Sequence, residues 1–436
     1  MPRPRRSSPR PRPSTPDPEA GRELELEVGP AAHGGHCVAR LDGRVVFVRH
    51  ALPGERVRAR VTESGSRFWR ADAVEVLEAS PDRVESAWPE AGPGGVGGGE
   101  LAHVSLPGQR RWKADVLADQ LRRIAHVERT VAVEAAPGDD ERGGLAYRTR
   151  VELVADGEGR AGMRRFRSHD VVALDRMPLA TEAVAALAEA EGVWTRRWRP
   201  GARLELVAPA DGSAPVLLLD GAPVRRGTPD TRPNARRAVT ETVRAGGVEH
   251  RYRVAADGFW QVHREAPGVL AGAVLDAVLG QSGDVAGATV LDLYSGAGLF
   301  TLPLAHAVGP DGRVVAVEGD ARAVKDARRN AHDLPHVELH LGAVDRVLTD
   351  GDAGGAGVGA ADVVVLDPPR AGAGRTVVDA IADRAPSRVV YVACDPAALA
   401  RDVGYLGERG YELASLRGFD LFPMTHHVEA VAVLTR

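Results

Sequence analysis

From about residue 267 onward, short apolar runs alternate with glycine turns and helix-compatible stretches, and this rhythm restricts the fold more than any other feature of the chain. The runs fall at 289–293, 314–317, 337–341, 363–366, 389–392 and 428–434. Each is too short for a buried helix, and all but the alternating run at 337–341 are largely continuous in apolar residues, the pattern of strands covered on both faces. Helical segments between most of them predict a mainly parallel, doubly wound sheet, so residues 267–436 read as a Rossmann-like α/β domain.

The N-terminal part has a different texture. Residues 1–20 carry five arginines against Asp17 and Glu19, are rich in Pro and Ser and lack apolar periodicity, which predicts a disordered basic tail. Over 21–80, alternating apolar positions such as Leu24, Leu26 and Val28 are parted by turns at Gly34-Gly35, Asp42-Gly43 and Pro53-Gly54. That spacing predicts a small, five-stranded antiparallel OB-like barrel. Its stretch 42–48, followed by Leu52-Pro53-Gly54-Glu55, resembles the TRAM domain, an RNA-binding module appended to RNA-modifying enzymes. Residues 81–266 read as a central α/β domain. It holds six glycines within 92–99, helical spacing at Val116, Leu117, Leu121 and Ile124, hairpin alternation from Tyr147 to Val172 and a helix over 179–190.

Composition narrows the function classes. With 436 residues, 44% hydrophobic, the chain can build several cores without a disulfide framework. Cys37 and Cys394 are its only cysteines, too few for a thiolate metal site. No run of eighteen apolar residues and no apolar leader occurs, so a soluble, cytoplasmic protein with no membrane or metal partner is expected, a monomer being the simplest form. Net charge is −4, and of 56 basic residues only Lys113 and Lys325 are lysines. Such arginine bias points to genome composition rather than to mass phosphate binding, so the number of arginines is no argument for nucleic acid.

Chemistry gathers at the predicted strand ends. The run Val290-Leu291-Asp292-Leu293-Tyr294-Ser295-Gly296-Ala297-Gly298 ends a strand in glycines that let a ligand approach. Thr301 stands where a dinucleotide fingerprint needs its third glycine, which disfavours NAD. Glu318 ends the next strand, 20 residues beyond Gly298, where an acid can accept ribose hydroxyl protons; S-adenosylmethionine is the favoured ligand. A second strand delivers Asp367-Pro368-Pro369-Arg370 to the same edge. Arg370 replaces the aromatic residue that amino-group methyltransferases stack on a target base, so an amine target is disfavoured. A third strand ends in Cys394, 27 residues after Asp367 and hence one βα unit away, and Phe422-Pro423-Met424-Thr425-His426-His427-Val428-Glu429 places an acid at the start of the last strand.

Together these motifs resemble the RNA 5-methyluridine methyltransferase family, enzymes that methylate uracil C5 in transfer or ribosomal RNA. The resemblance covers nearly the whole chain after the tail. It implies that Gln261, within Gly258-Phe259-Trp260-Gln261-Val262, contacts S-adenosylmethionine with Tyr294, Gly296, Gly298, Glu318 and Asp367. It further implies that Cys394 is the nucleophile and Glu429 the general base, with Arg370 at the substrate. Members of the family that bind a four-iron cluster carry cysteines at stations that here read Trp88-Pro89, Val96-Gly97-Gly98-Gly99 and Met177-Pro178-Leu179, so no iron–sulfur cluster is expected. Leu299 stands where the family often has Asn.

Uracil C5 is a poor nucleophile until a thiolate adds at C6. The expected route is therefore addition of Cys394 to C6, methylation at C5 and removal of the C5 proton by Glu429. The site is expected to lower the cysteine pKa. Asp367 and Arg370 are candidates to position the uracil edge, and Asp367 equally to hold the cofactor. The rival reading is a catalytically silent RNA-binding protein on the same fold, against which Cys394, Glu429, Gln261 and Glu318 all count.

Overall fold

The computed structural model describes residues 18–280, 283–349 and 358–436, and the basic tail read from the sequence falls almost entirely outside them. The chain divides into two compact units, one holding residues 36–81 with the strand before them, the other residues 82–436.

In the first unit β1 (Glu23–Ala32), β2 (His36–Leu41), β3 (Arg44–Arg49), β4 (Arg56–Ser64) and β5 (Phe68–Glu78) close into a barrel in the order β1-β2-β3-β5-β4. Alternation fills its interior: Leu24, Leu26 and Val28 point inward from β1, and Val57, Ala59 and Val61 from β4. The five-stranded barrel agrees with the sequence reading except in one seam. Closure joins β3 to β5 in parallel, because β4 lies on the far side of β5.

The second unit begins with α1 (Leu106–Gln120) and β6 (Val133–Ala135). Next come β7 (Arg150–Ala155), β8 (Ala161–Arg164), β9 (Val171–Ala173), α2 (Glu182–Ala190), β10 (Arg203–Val207), β11 (Val216–Leu219), β12 (Ala222–Arg225) and β13 (Thr228–Pro229). Their strands form an antiparallel sheet of order β13-β12-β11-β10-β7-β8-β9. Trp88, Val96 and Met177, three of the stations where cluster-binding relatives carry cysteine, are buried together in the apolar core of this layer. At the fourth, Gly99, an added Cβ would stand 2.8 Å from the Trp88 ring. The indole fills the space beside Gly99. With no thiolate at any of the four, these residues do not fit an iron–sulfur cluster, and no three His, Cys, Asp or Glu among the described residues converge as metal ligands.

A hairpin, β14 (Ala238–Ala245) and β15 (Val248–Ala255), leads to α3 (Ala266–Leu279). The remaining elements alternate: β16 (Thr289–Leu293), α4 (Thr301–Val308), β17 (Arg313–Glu318), α5 (Ala321–Asn330), β18 (Val337–Leu341), α6 (Val344–Thr349), β19 (Val363–Leu366), α7 (Gly374–Asp383), β20 (Arg388–Ala393), α8 (Pro396–Glu408), β21 (Glu412–Asp420) and β22 (Glu429–Thr435). They build an eight-stranded sheet, β18-β17-β16-β19-β20-β22-β21-β6, in which only β22 runs against the rest. Successive residues feed opposite faces: Val363 and Val365 enter one core with α3 and the β14–β15 hairpin, Val364 and Leu366 the other with α7 and α8.

Parts of the span read as a central domain thus pack on this sheet. β6 pairs with β21, the hairpin shares a core with α3, and α1 contributes Leu117 to the opposite face. Ile124, expected on the apolar stripe of that helix, is 40% exposed. The helix ends in a π turn at Leu121–Ala125, whose wider winding rotates Ile124 off the stripe. No helix among the described residues is long and apolar enough to cross a membrane.

Candidate active site

The order of the large sheet brings the predicted residues to one edge. β17, β16, β19, β20 and β22 are neighbours in that order, and their ends at this edge supply Glu318, the 294–298 loop, Asp367, Cys394 and Glu429. Because β22 is antiparallel, its first residue lies where its neighbours finish. The pair Ala393–Ala430 makes Cys394 and Glu429 the next two positions on the same ladder. The chain order reverses between β16 and β19, the place where open α/β sheets bind ligands.

The edge opens into a crevice of about 1400 Å³ whose wall includes Gln261, Tyr294, Gly296, Glu318, Asp367, Arg370, Cys394 and Glu429. Gly298, assigned to the cofactor from sequence, is not on that wall. Its φ of 94° serves the turn into α4 instead. Tyr294 also has a positive φ, 63°, uncommon for a bulky residue. Its N–H and that of Ser295 both donate to the Val317 carbonyl, at 2.8 and 3.1 Å. Gly296 N–H donates to Glu318 Oε2 at 2.9 Å and Asp320 N–H to Oε1 at 2.7 Å, so the loop and the acid fix each other. Thr301, in place of a third glycine, donates its hydroxyl to buried Asp292 at 2.5 Å.

The electrostatics of this edge are those of carboxylates without enough cations. Burial, then the charge of Glu318, pushes Asp292 up to about 7 despite the Thr301 bond. Burial and Asp292 push Asp367 up to about 7, and burial and Asp367 raise Glu429 well above the carboxylate range, with Arg370 opposing. Cys394 is pushed up to about 12 by burial, Glu429 and Asp367, against the pull of Arg370. This reverses the sequence expectation of a lowered cysteine pKa: the thiol is neutral in the free protein. Arg370 reaches His427 Nε2 at 3.3 Å. Burial, then His426 and Arg370, lowers His427 to about 3, so its ring is neutral and accepts from the guanidinium.

Sequence reasoning missed the residues that hold the turn delivering Glu429. Met424, at φ 68°, is pinned by its N–H to Gln109 Oε1 at 2.7 Å and by its carbonyl, which accepts from Leu101 N–H at 2.9 Å. Tyr147 donates its hydroxyl to the Pro423 carbonyl at 3.0 Å. Lys113, fully buried on α1, donates to Asp420 at 2.5 Å and to the Phe422 carbonyl at 3.0 Å. Gln109, Lys113 and Val116 share the buried stripe of α1. Two polar residues on an apolar stripe were the available signal.

Comparison with known proteins agrees with this geometry. Family models match at residues 19–74 (TRAM domain), 359–436 (tRNA (Uracil-5-)-methyltransferase) and 275–366 (Protein-L-isoaspartate(D-aspartate) O-methyltransferase). The chain is 46% identical to an uncharacterised RNA methyltransferase of Bifidobacterium longum, covering 95% of this chain and 97% of that protein. The chain belongs to the RNA uracil-5 methyltransferase family. A second RNA methyltransferase, from Streptomyces coelicolor, is 43% identical over 95% of this chain and 93% of its own. Among solved structures, the Pyrococcus abyssi tRNA (uracil-54, C5)-methyltransferase in complex with S-adenosyl-L-homocysteine shares the fold, with a TM-score of 0.67 and 22% identity over 94% of this chain and 100% of that one. As a member of the RNA uracil-5 methyltransferase family with a TRAM barrel, the protein is an S-adenosylmethionine-dependent RNA methyltransferase.

Proposed function

We propose that this enzyme methylates C5 of a uridine in transfer or ribosomal RNA through an adduct between Cys394 and C6 of the ring. The observation that carries the reading is the adjacency of Cys394 and Glu429 on the β20–β22 ladder, at a crevice that also exposes Asp367 and Arg370.

The residues present fit the methyl donor. Ser295 Oγ lines the crevice and is buried with no partner among the described residues, Asp292 Oδ1 beneath the loop is likewise unpaired, and the carboxylates of this edge lack a matching cation. Gln261, Tyr294, Gly296, Glu318 and Asp367 would hold S-adenosylmethionine, with Glu318 at the ribose hydroxyls. When bound, it supplies an electrophilic methyl group on a positively charged sulfonium.

The protein's own groups then divide the work. Cys394 Sγ forms a bond to C6, and its proton must leave as that bond forms, since burial and carboxylates keep the free thiol neutral. Asp367, with a pKa near 7 and close enough for its charge to act on the thiol, is partly ionised at neutral pH and receives it. Arg370, steadied by His427, favours the developing negative charge. Once C5 carries its methyl group, the Glu429 carboxylate, its own proton already released to solvent in the loaded site, takes the C5 proton, the S–C6 bond breaks, and Cys394 regains its proton from Asp367. A carboxylate whose pKa burial has raised is the stronger base for that abstraction. The target base is reached in a loop or by extrusion from its stack, and the TRAM barrel serves as one grip on the RNA.

Methyl transfer from labelled S-adenosylmethionine to unmodified, size-fractionated total RNA tests the reading. Label is expected in 5-methyluridine, in one RNA size class, and is expected to vanish with Cys394→Ala; label in another nucleoside would overturn it. The acidic edge adds a pH dependence. Asp292 and Asp367, each near 7 when the site is free, bind a cation in their ionised forms, so donor binding releases protons below neutrality. Affinity for S-adenosylmethionine measured by calorimetry should rise about tenfold or more from pH 6 to pH 8 and then level off. A flat profile would sink the idea that the acidic edge holds the cationic donor in its ionised form.

A further inference from the structure

Arginine abundance says nothing about which arginines meet a partner, but the structure separates them. Many are neutralised within the fold, as Arg56 is by Glu78 and Arg313 by Glu338. Three that are not stand together at the end of β8 and on the turn to β9: Arg164, Arg165 and Arg167 are all exposed, and among the described residues none of their guanidinium groups meets a carboxylate. Asp170 is the one acid in the turn. Phe166 lies between them, half-buried, with the Arg167 guanidinium 5.4 Å from its ring centre.

This turn is held in shape. Arg165 N–H donates to the Asp170 carbonyl at 2.8 Å and Ser168 N–H to the Arg165 carbonyl at 3.0 Å. The glycine-rich stretch 92–99 runs alongside and stitches to it: Gly97 N–H donates to the Arg164 carbonyl and Phe166 N–H to the Gly95 carbonyl, at 3.3 and 3.4 Å. Gly97, Gly98 and Arg164 also form part of the crevice wall, so the cationic turn is a rim of the same cavity that holds Cys394.

We propose that the β8–β9 turn is an RNA-docking rim, with Arg164, Arg165 and Arg167 on backbone phosphates next to the target nucleotide and Phe166 stacking on an adjacent base. The proposal rests on the reading of this crevice as an RNA-modifying site. Its chemistry is that of single-strand recognition: forked cations for phosphates beside an aromatic face that any base can cover. The rim gives the enzyme a grip at the reacting nucleotide, separate from the TRAM barrel.

The test is binding of a fluorescein-labelled, unmodified RNA stem-loop with uridines in its loop to the full-length protein, without S-adenosylmethionine, across a salt series. The triple variant Arg164→Gln/Arg165→Gln/Arg167→Gln should bind at least about tenfold more weakly near 0.1 M salt. Its log–log salt slope should shrink by about 2, since each single-strand phosphate that is no longer neutralised removes about 0.7 from the slope. Phe166→Ala should weaken binding about 5- to 100-fold with the slope unchanged. The corresponding triple Arg-to-Lys variant should restore most of the salt dependence, which separates charge from misfolding. Affinity and slope of the triple Gln variant within twofold of wild type would overturn the proposal. The two readings fail separately. A wild type that makes 5-methyluridine beside an unaffected triple variant removes the rim alone, whereas a wild type that makes none beside a variant that loses RNA removes the reaction alone.

Discussion

Glu429→Gln should slow turnover about 10²- to 10⁴-fold, the range for loss of a general base, while leaving the addition of Cys394 to the ring intact. The two losses differ in kind. Without Cys394 no bond to C6 forms; without Glu429 the bond forms and the C5 proton has no acceptor, so the S–C6 bond persists. Glutamine matches glutamate in volume and carries no charge, as the buried carboxyl does while protonated, so the fold should tolerate it. A protein–RNA species that survives denaturing electrophoresis should therefore accumulate with this variant in the presence of S-adenosylmethionine. Near wild-type turnover, or slow turnover with no such species, would remove Glu429 from proton abstraction.

The second large effect is expected away from the crevice. Lys113→Met leaves Asp420 buried without its cation, a loss of about 3–5 kcal/mol for a broken buried pair. It should appear as a lower urea midpoint of the full-length protein. Turnover should fall as well, because Asp420 and Phe422 begin the turn that ends at Glu429. Pairing Lys113→Met with Asp420→Leu removes the stranded charge and should return most of the stability. If Lys113 also positions the turn, kcat stays low in the double variant while the affinity for S-adenosylmethionine stays normal. Full recovery of kcat would reduce Lys113 to a structural role.

Much of the site was legible because its residues sit at strand ends, and strand ends follow from local apolar runs. The runs at 289–293, 337–341 and 363–366 coincide with β16, β18 and β19, and Asp367, Cys394 and Glu429 follow from where such runs start and stop. What escaped depends on residues far apart in the chain. β6 is three residues long and has meaning only beside β21. Lys113 and Asp420 are 307 positions apart, and nothing near Lys113 announces its partner. The direction of the Cys394 pKa shift was misjudged for the same reason: the carboxylates that oppose ionisation arrive from β19 and β22, while its neighbour Asp395 contributes least. Gly298 lies off the crevice wall, and a motif alone does not distinguish a glycine that admits a ligand from one that turns the chain.

The position of β22 bears on how such an enzyme comes into being. It is the last strand of the large sheet in chain order, yet it lies between β20 and β21, with hydrogen-bonded neighbours on both sides. A growing chain therefore passes through a stage in which Cys394 has been made but the slot beside it is empty and Glu429 has not arrived. The reactive pair and the final closure of the sheet are one event, so competence for chemistry and completion of folding are reached together.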